Sequence, residues 1–210
     1  MINKIFHYHR SSKHNQHAFA PGPGQLDWAN QPDPFRRYEG AELLPLIKIG
    51  QTEKPTFSQA LKSNKVLACP LNLESVSQLF FDCLALSAWK SFQGSKWALR
   101  VNPSSGNLHP TEGYLVCGPV QGLTDKPTIF HYSPETHGLE IRTHFSMETW
   151  KKMRLSEDTL FVGLSSINWR EAWKYGQRSY RYCQHDLGHA LAALNISCAG
   201  LGWRPHLMDH

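Results

Sequence analysis

The chain has 210 residues, of which 40% are hydrophobic and 19% charged, and a formal net charge of +5 with neutral histidines. That length predicts one domain able to bury roughly two-thirds of its unfolded surface without disulfides. No run of about 18 apolar residues exists, which excludes a transmembrane helix, and the N-terminal stretch has no apolar core of the signal-peptide kind. Lys and Arg are scattered, with no block longer than Arg36-Arg37 or Lys151-Lys152, so a nucleic-acid footprint is not expected. The cysteines (Cys69, Cys83, Cys117, Cys183, Cys198) are odd in number and form no C-x-x-C; they read as reduced, buried thiols of a cytoplasmic protein.

In chain order, residues 1–45 read as an extended, His- and Pro-rich arm. Four prolines between Pro21 and Pro34 argue against helix there, while Leu26, Trp28, Phe35 and Tyr38 suggest an arm that packs aromatics onto another surface. Residues 46–203 read as the folded domain and 204–210 as an unpatterned tail. The stretch "LNLESVSQLFFDCLALSAWK", residues 71–90, predicts the first good helix: Leu73, Val76, Leu79, Phe80, Cys83 and Leu84 follow the helical rhythm, and Asn72 is a plausible N-cap. "EGYLVCG" predicts a buried strand, "TIFHYSPETHGLEIRT" a hairpin, and "TLFVGLSSI" a further strand. "YRYCQHDLGHALAALNISCAGLG" predicts the longest helix, with Leu187, Leu191, Leu194, Cys198 and Leu201 in one stripe. Its small residues would admit a close neighbour, and Gly202 suits the stop. The order of elements predicts an α+β fold around a mixed or antiparallel sheet.

Three stretches carry candidate chemistry. In "RVNPSSGNLHPTEGYLV", Pro103 fixes one φ and Gly106 allows a tight bend, leaving N–H groups free to face a ligand. Ser104, Ser105 and Asn107 add short polar groups, and Arg100 upstream can pair with an anion or an electron-rich ring oxygen. An ordinary polar turn has the same composition. In "WREAWKYGQRSYRY", a desolvated Lys174 could act as a base beside the Tyr175 phenol, although a helix start whose Arg and Lys stems cover aromatics reads the same way. "HDLGH" puts His185 and His189 at i, i+4 with Asp186 between them. Without a Glu or third ligand this is a poor zinc motif, and no metal site is expected.

Taken together, "KHNQHAFAPGPGQLDWANQPDPFRRYEGA", "LRVNPSSGNLHPTEGYLV", "IFHYSPETHGLEIR" and "NWREAWKYGQRSYRYCQHDLGHALAALNISCAGLGW" resemble the flavin-dependent nitroreductase superfamily. The branch they resemble is the SagB/ThcOx-type dehydrogenases related to azoline oxidases. The resemblance runs from about residue 12 to residue 203. It implies an α+β nitroreductase-like fold, non-covalent FMN, and a site at the interface of two such units. Pro103, Ser104, Ser105 and Gly106 would lie along the isoalloxazine, with Arg100 and Asn107 near its polar edge or ribityl chain. Lys174 and Tyr175 match the pair that acts beside the flavin in azoline-oxidising relatives. They would remove a proton while hydride passes to the ring. Lys62 and Ser63, within "KSNK", stand where relatives carry the arginines that hold the FMN phosphate.

Relatives of this branch are often about twice as long, so the chain reads as the N-terminal half of a two-half protein, as an incomplete fold, or as one member of a homodimer. A small-molecule or peptide substrate follows, with neither nucleic acid nor membrane as partner. The alternative expectation is a flavin-less remnant that serves as a binding or scaffold subunit.

Overall fold

The computed structural model describes residues 2–50, 55–62, 66–156 and 158–208. The chain opens with helix α1 (Ile2–Ser11), where an extended arm was expected. Its Tyr8 ring meets Tyr180 edge-on at 5.8 Å. Near its C-terminus the guanidinium of Arg181 donates to the His9 carbonyl at 2.9 Å, a cation on the carbonyl end of the helix dipole. Tertiary contact thus supplies what the local composition lacks. Beyond α1 the segment runs without regular structure, apart from one short 3-10 turn (Trp28–Asn30), to strand β1 (Leu43–Pro45).

After the short helix α2 (Phe57–Ala60) comes α3 (Leu73–Cys83). Asn72 caps α3 reciprocally: its side chain accepts from the Ser75 N–H and the Ser75 hydroxyl accepts from its own N–H. The predicted helix over residues 71–90 is too long. The chain leaves it at Leu84 and enters β2 (Leu86–Phe92), which pairs with β3 (Ser95–Arg100). Gln93 and Gly94 both have positive φ, the two-residue turn whose twist matches a hairpin. That turn outweighs the helical rhythm of the preceding run.

The remaining strands are β4 (Thr111–Cys117), β5 (Thr128–Ser133) and β6 (Gly138–His144), then helix α4 (Met147–Lys152) and β7 (Leu160–Ser166). They form a five-stranded sheet in the order β1-β6-β5-β4-β7, in which each neighbouring pair is antiparallel. The sheet is antiparallel, not mixed. Two helices close the fold, α5 (Asn168–Tyr175) and α6 (Ser179–Gly200). No described helix is long and apolar enough to cross a membrane.

The two faces of the sheet differ because side chains alternate along each strand. Leu115, Cys117, Phe130, Tyr132 and Leu139 join Val76, Phe80, Cys83 and Leu84 from α3 and its end in one core. Each fully buried Leu or Phe there stabilises the fold by about 1.5–3 kcal/mol. Phe80 stacks on Tyr132 at 4.7 Å, and a Cβ at Gly113 would stand 2.5 Å from Leu84, so α3 lies directly on β4. Helix α6 extends this layer through Leu79, Cys198 and Leu201.

The alternate residues build an ionic face. His131 meets Glu112 through Nε2 at 2.9 Å and Glu140 through Nδ1 at 2.7 Å, and Arg170 of α5 donates to Glu112 at 2.6 Å. From the N-terminal segment, Tyr38 covers this cluster, its ring 5.1 Å from His131.

Two smaller expectations are corrected. Cys69 is exposed, while the other four thiols are buried, because Cys69 lies in an irregular stretch ahead of α3. Of the small residues of α6, Ala190 is fully buried in the core, whereas Gly188 and Gly200 have nothing within 4 Å of a would-be Cβ among the described residues and admit no close neighbour there. Gly202 does stop α6. With φ +69 it forms the paired terminal bonds Gly202 N–H to the Ala199 carbonyl and Trp203 N–H to the Cys198 carbonyl.

Candidate functional site

The loop between β3 and β4 is held in a conformation few residues adopt. Gly106, Asn107 and His109 all have positive φ, at 66°, 60° and 49°, and only the first is a glycine. Internal bonds fix it. The Ser104 hydroxyl accepts from the His109 N–H at 2.8 Å, Asn107 donates to the Ala98 carbonyl at 2.8 Å, and Asn107 Oδ1 meets His109 Nε2 at 2.9 Å. Arg170 donates to the His109 carbonyl at 2.7 Å, which ties the loop to α5. Buried beside Arg100 and Arg170, the His109 imidazole is pushed down to about 3 by desolvation first and by those charges second.

Helices α5 and α6 bring the second half of the site. Gly176, at φ 53°, breaks the helical run between them, and a Cβ there would stand 3.5 Å from the Pro23 backbone. The broken run folds α6 back so that Asp186 reaches the loop. Its Oδ1 accepts from the Ser105 N–H at 3.2 Å, and the Ser104 hydroxyl also bonds to this carboxylate. His189, one turn on, has Nδ1 at 3.0 Å from the Pro103 carbonyl.

Lys174 and Tyr175 close the site from α5. A Cβ on Gly106 would stand 2.7 Å from Tyr175 Oη, 2.9 Å from Lys174 Cδ and 3.1 Å from Lys174 Nζ. A side chain on Gly106 would have to displace the ends of Lys174 and Tyr175 where the loop meets this pair. The Tyr175 ring lies 4.1 Å from that of Tyr182, with the Arg178 guanidinium over both rings. Burial foremost, then Glu171 and Tyr182, push the Tyr175 phenol up to about 12. At neutral pH it is a hydrogen-bond donor and not a phenolate base.

Two carboxylates complete the geometry, and sequence reasoning gave neither a role here. Glu171 is wholly buried, and among the described residues neither of its oxygens has a hydrogen-bond partner; Oδ2 of buried Asp186 is likewise unpartnered there. Desolvation first, and Asp186 second, raise the Glu171 carboxyl to about 8, against the pull of Lys174. Asp186 is raised as well, by burial, against the bonds from Ser104 and Ser105. Helical spacing was the available signal for Glu171: it stands three residues before Lys174 and four before Tyr175, on the same helix flank.

The structure thus brings Pro103, Ser104, Ser105 and Gly106 together with Lys174 and Tyr175. Others of the expected set stand apart. Arg100 is buried, donating to the carbonyls of Pro34 at 2.6 Å and Thr111 at 3.2 Å, with Nε unpartnered among the described residues. Asn107 faces inward. Lys62 lines an open groove of about 960 Å³ with Ala60, Val66, Asn195, Ala199 and Trp203. On α6 that groove starts at Asn195, about 9 Å of helix beyond His189. Ser63 lies outside the described residues. Among the described residues no group of three or more His, Cys, Asp or Glu could hold a metal ion; His185 and His189 make no such site.

The strand order, the packed α3 and α6, and this loop define a protein of nitroreductase-like α+β fold. No family model matches the chain. Its sequence is 22% identical over 139 residues to a candidate nitroreductase of Methanocaldococcus jannaschii, covering 63% of this chain and 66% of that protein. Its structure matches that of a candidate nitroreductase from Anabaena variabilis with a TM-score of 0.68 and 28% identity. The match covers 92% of this chain and 38% of that one, so the chain spans about two-fifths of the Anabaena protein. A candidate nitroreductase from Ralstonia eutropha matches at a TM-score of 0.53 with 16% identity, over 75% of this chain and 71% of that one.

Proposed function

We propose that the chain carries the substrate-side machinery of an FMN-dependent oxidoreductase, with Lys174 as proton acceptor and Tyr175 as hydrogen-bond donor. The observation that supports this most is the contact of the Pro103–Gly106 loop with the Lys174–Tyr175 pair, at a glycine whose Cβ would fill the junction. The residues present fit such a cofactor in chemistry. The exposed rim at Pro103 and Gly106 offers backbone without side-chain bulk to a flat heterocycle, and Lys62 in its groove offers a cation to a phosphate. When bound, FMN supplies the two-electron acceptor that takes a hydride from substrate.

The chain's own residues do the rest. Lys174 Nζ, half-buried against the loop, takes the proton that leaves the substrate carbon as its C–H bond breaks. The Tyr175 phenol, held protonated by burial, orients a substrate heteroatom by donating to it. Asp186 anchors Ser104 and Ser105, Asn107 fixes the turn, and Arg100 ties the loop base to the N-terminal segment. Oxidation of an azoline-type ring in a modified peptide, which loses one proton and one hydride, suits this machinery. The exposed flank of α6 around Gly188, Ala192 and Ile196 is where a second nitroreductase-like unit, or a second copy, would complete the site.

One observation favours a second reading. The Ser104 hydroxyl, the Ser105 N–H and the Arg100 guanidinium are all engaged by protein groups, as a flavin-less scaffold subunit would have them. Reconstitution separates the two. The oxidoreductase reading expects retained flavin absorbance in wild type and in Lys174→Ala, with turnover lost only in the variant. Protein that stays colourless supports the scaffold.

A further inference from the structure

A turn in the N-terminal segment aims an imidazole at the start of α6. Asn15 Oδ1 accepts from the His17 and Ala18 N–H groups, both at 2.9 Å, and the Asn15 N–H donates to the Ala18 carbonyl at 3.0 Å. The chain so folded brings back Ala20, whose N–H donates to His14 Nδ1 at 3.0 Å. Phe19 meets the imidazole edge-on at 5.2 Å. A backbone N–H can only donate, so Nδ1 carries the lone pair and Nε2 the proton. That Nε2 lies 2.6 Å from Arg178 Nη1, and a guanidinium has donors alone. One Nη1 hydrogen serves Tyr182 Oη at 3.2 Å; the other faces the imidazole N–H. Arg178 Nε is buried without a partner, and neither Arg178 nor Arg181 meets a carboxylate, among the described residues. Residues 1–26 and 175–185 contain no Asp or Glu. Two donors that converge in acid-free surroundings, with His14 exposed to solvent, are what an oxyanion requires.

We infer that His14 and Arg178 form a carboxylate-binding site, and that it anchors a carboxylate-bearing substrate beside the Lys174–Tyr175 pair. The Arg178 guanidinium stands 5.4 Å from the centre of the Tyr175 ring and 5.6 Å from that of Tyr182. An anion held there shares a wall with the phenol that orients the substrate. One permanent cation and one uncharged N–H match the single charge and two acceptor oxygens of a carboxylate; a phosphate dianion calls for more. A Cβ at Gly22 would stand 3.8 Å from Nη2, so with glycine there no side chain at that position flanks this donor. When the carboxylate enters, one oxygen accepts from His14 Nε2 and the other from Arg178. That relieves the donor-to-donor contact and ties the turn to α6. This deepens the oxidoreductase reading by naming a group on the substrate, and rests on it for the rest of the substrate's chemistry. The anion site itself is a property of the chain without flavin.

The test uses the full chain without flavin, at neutral pH and constant ionic strength, with the Ala20 backbone amide followed by NMR. Sodium acetate is expected to move that signal with half-saturation in the millimolar range. Arg178→Met keeps a stem over the tyrosine rings, and His14→Phe keeps a ring against Phe19. Each is expected to weaken acetate binding about tenfold, the loss of one hydrogen bond to a charged group. Arg178→Lys, which keeps the charge without the fork, recovers part of the affinity; a packing role alone predicts Lys no better than Met. An Ala20 signal that acetate leaves in place, or equal acetate binding in wild type and Arg178→Met, overturns the site. If Arg178→Met does not fold, His14→Phe carries the same comparison. Inorganic phosphate that binds more tightly than acetate overturns the carboxylate assignment. A thiazoline carboxylate is expected to bind wild type at least about tenfold more tightly than its methyl ester, and equal binding of the two overturns the substrate assignment. Failure of wild type to bind FMN would sink the oxidoreductase reading and leave the acetate titration untouched.

Discussion

Gly106 and Tyr175 meet so closely that a β-carbon on the glycine would sit 2.7 Å from the phenolic oxygen. The loop glycine also has φ 66°, where an L side chain costs roughly 1–2 kcal/mol. Gly106→Ala therefore displaces Tyr175 or the loop. We expect a loss of about 2 kcal/mol in urea unfolding, from the backbone term plus local overpacking, together with a matching loss of FMN retention. An alanine variant as stable as wild type would mean the junction is loose.

The ionic face of the sheet makes a second prediction. Glu112 is buried between His131 and Arg170, and both ring nitrogens of His131 face carboxylates. Arg170→Met removes the cation and the donor to the His109 carbonyl at once. Breaking one side of a buried pair costs about 3–5 kcal/mol. Chemical denaturation should show that loss, and replacing Glu112 and Arg170 together by Gln and Met should recover part of it.

Acid–base linkage sets the third. Glu171 titrates near 4.5 when unfolded and is raised to about 8 when folded. Between those values the folded chain binds the extra proton, so stability is greatest on the acid side and falls as pH rises toward 8. The fall is on the order of 3–5 kcal/mol. Glu112 is lowered by His131, Arg100 and Arg170 despite its burial; its contribution has the opposite sign and is lost below its unfolded value. The His109 contribution, which grows as pH rises toward 6.5, is common to both proteins, so the stability of wild type relative to Glu171→Gln should fall between about pH 5 and pH 8 in unfolding titrations.

Much of the fold was legible because burial imposes a period. The α3 stripe, the "EGYLVCG" strand, the hairpin around "PETHG" and the Gly202 stop all follow local rules that tertiary contacts reinforce. The extension of α3 to Lys90 failed because Gln93-Gly94, a hairpin turn with two positive φ values, is recognisable only when Gln is admitted to the turn. Helix α1 was hidden because its partners, Tyr180 and Arg181, lie some 170 residues away.

In the site, the loop and the Lys174–Tyr175 pair were legible as dense polar and aromatic clusters. Arg100 read as a ligand residue because sequence does not show that Pro34 and Thr111 supply its acceptors. Glu171 drew no role from the sequence, since its burial arises from the packing of α6 over α5.

The most direct measurement is gel filtration of the purified chain after incubation with FMN, with flavin absorbance read across the protein peak. The account predicts that flavin co-elutes with wild type and with Lys174→Ala, and is lost with Gly106→Ala. Flavin eluting entirely apart from the folded wild-type chain would contradict it.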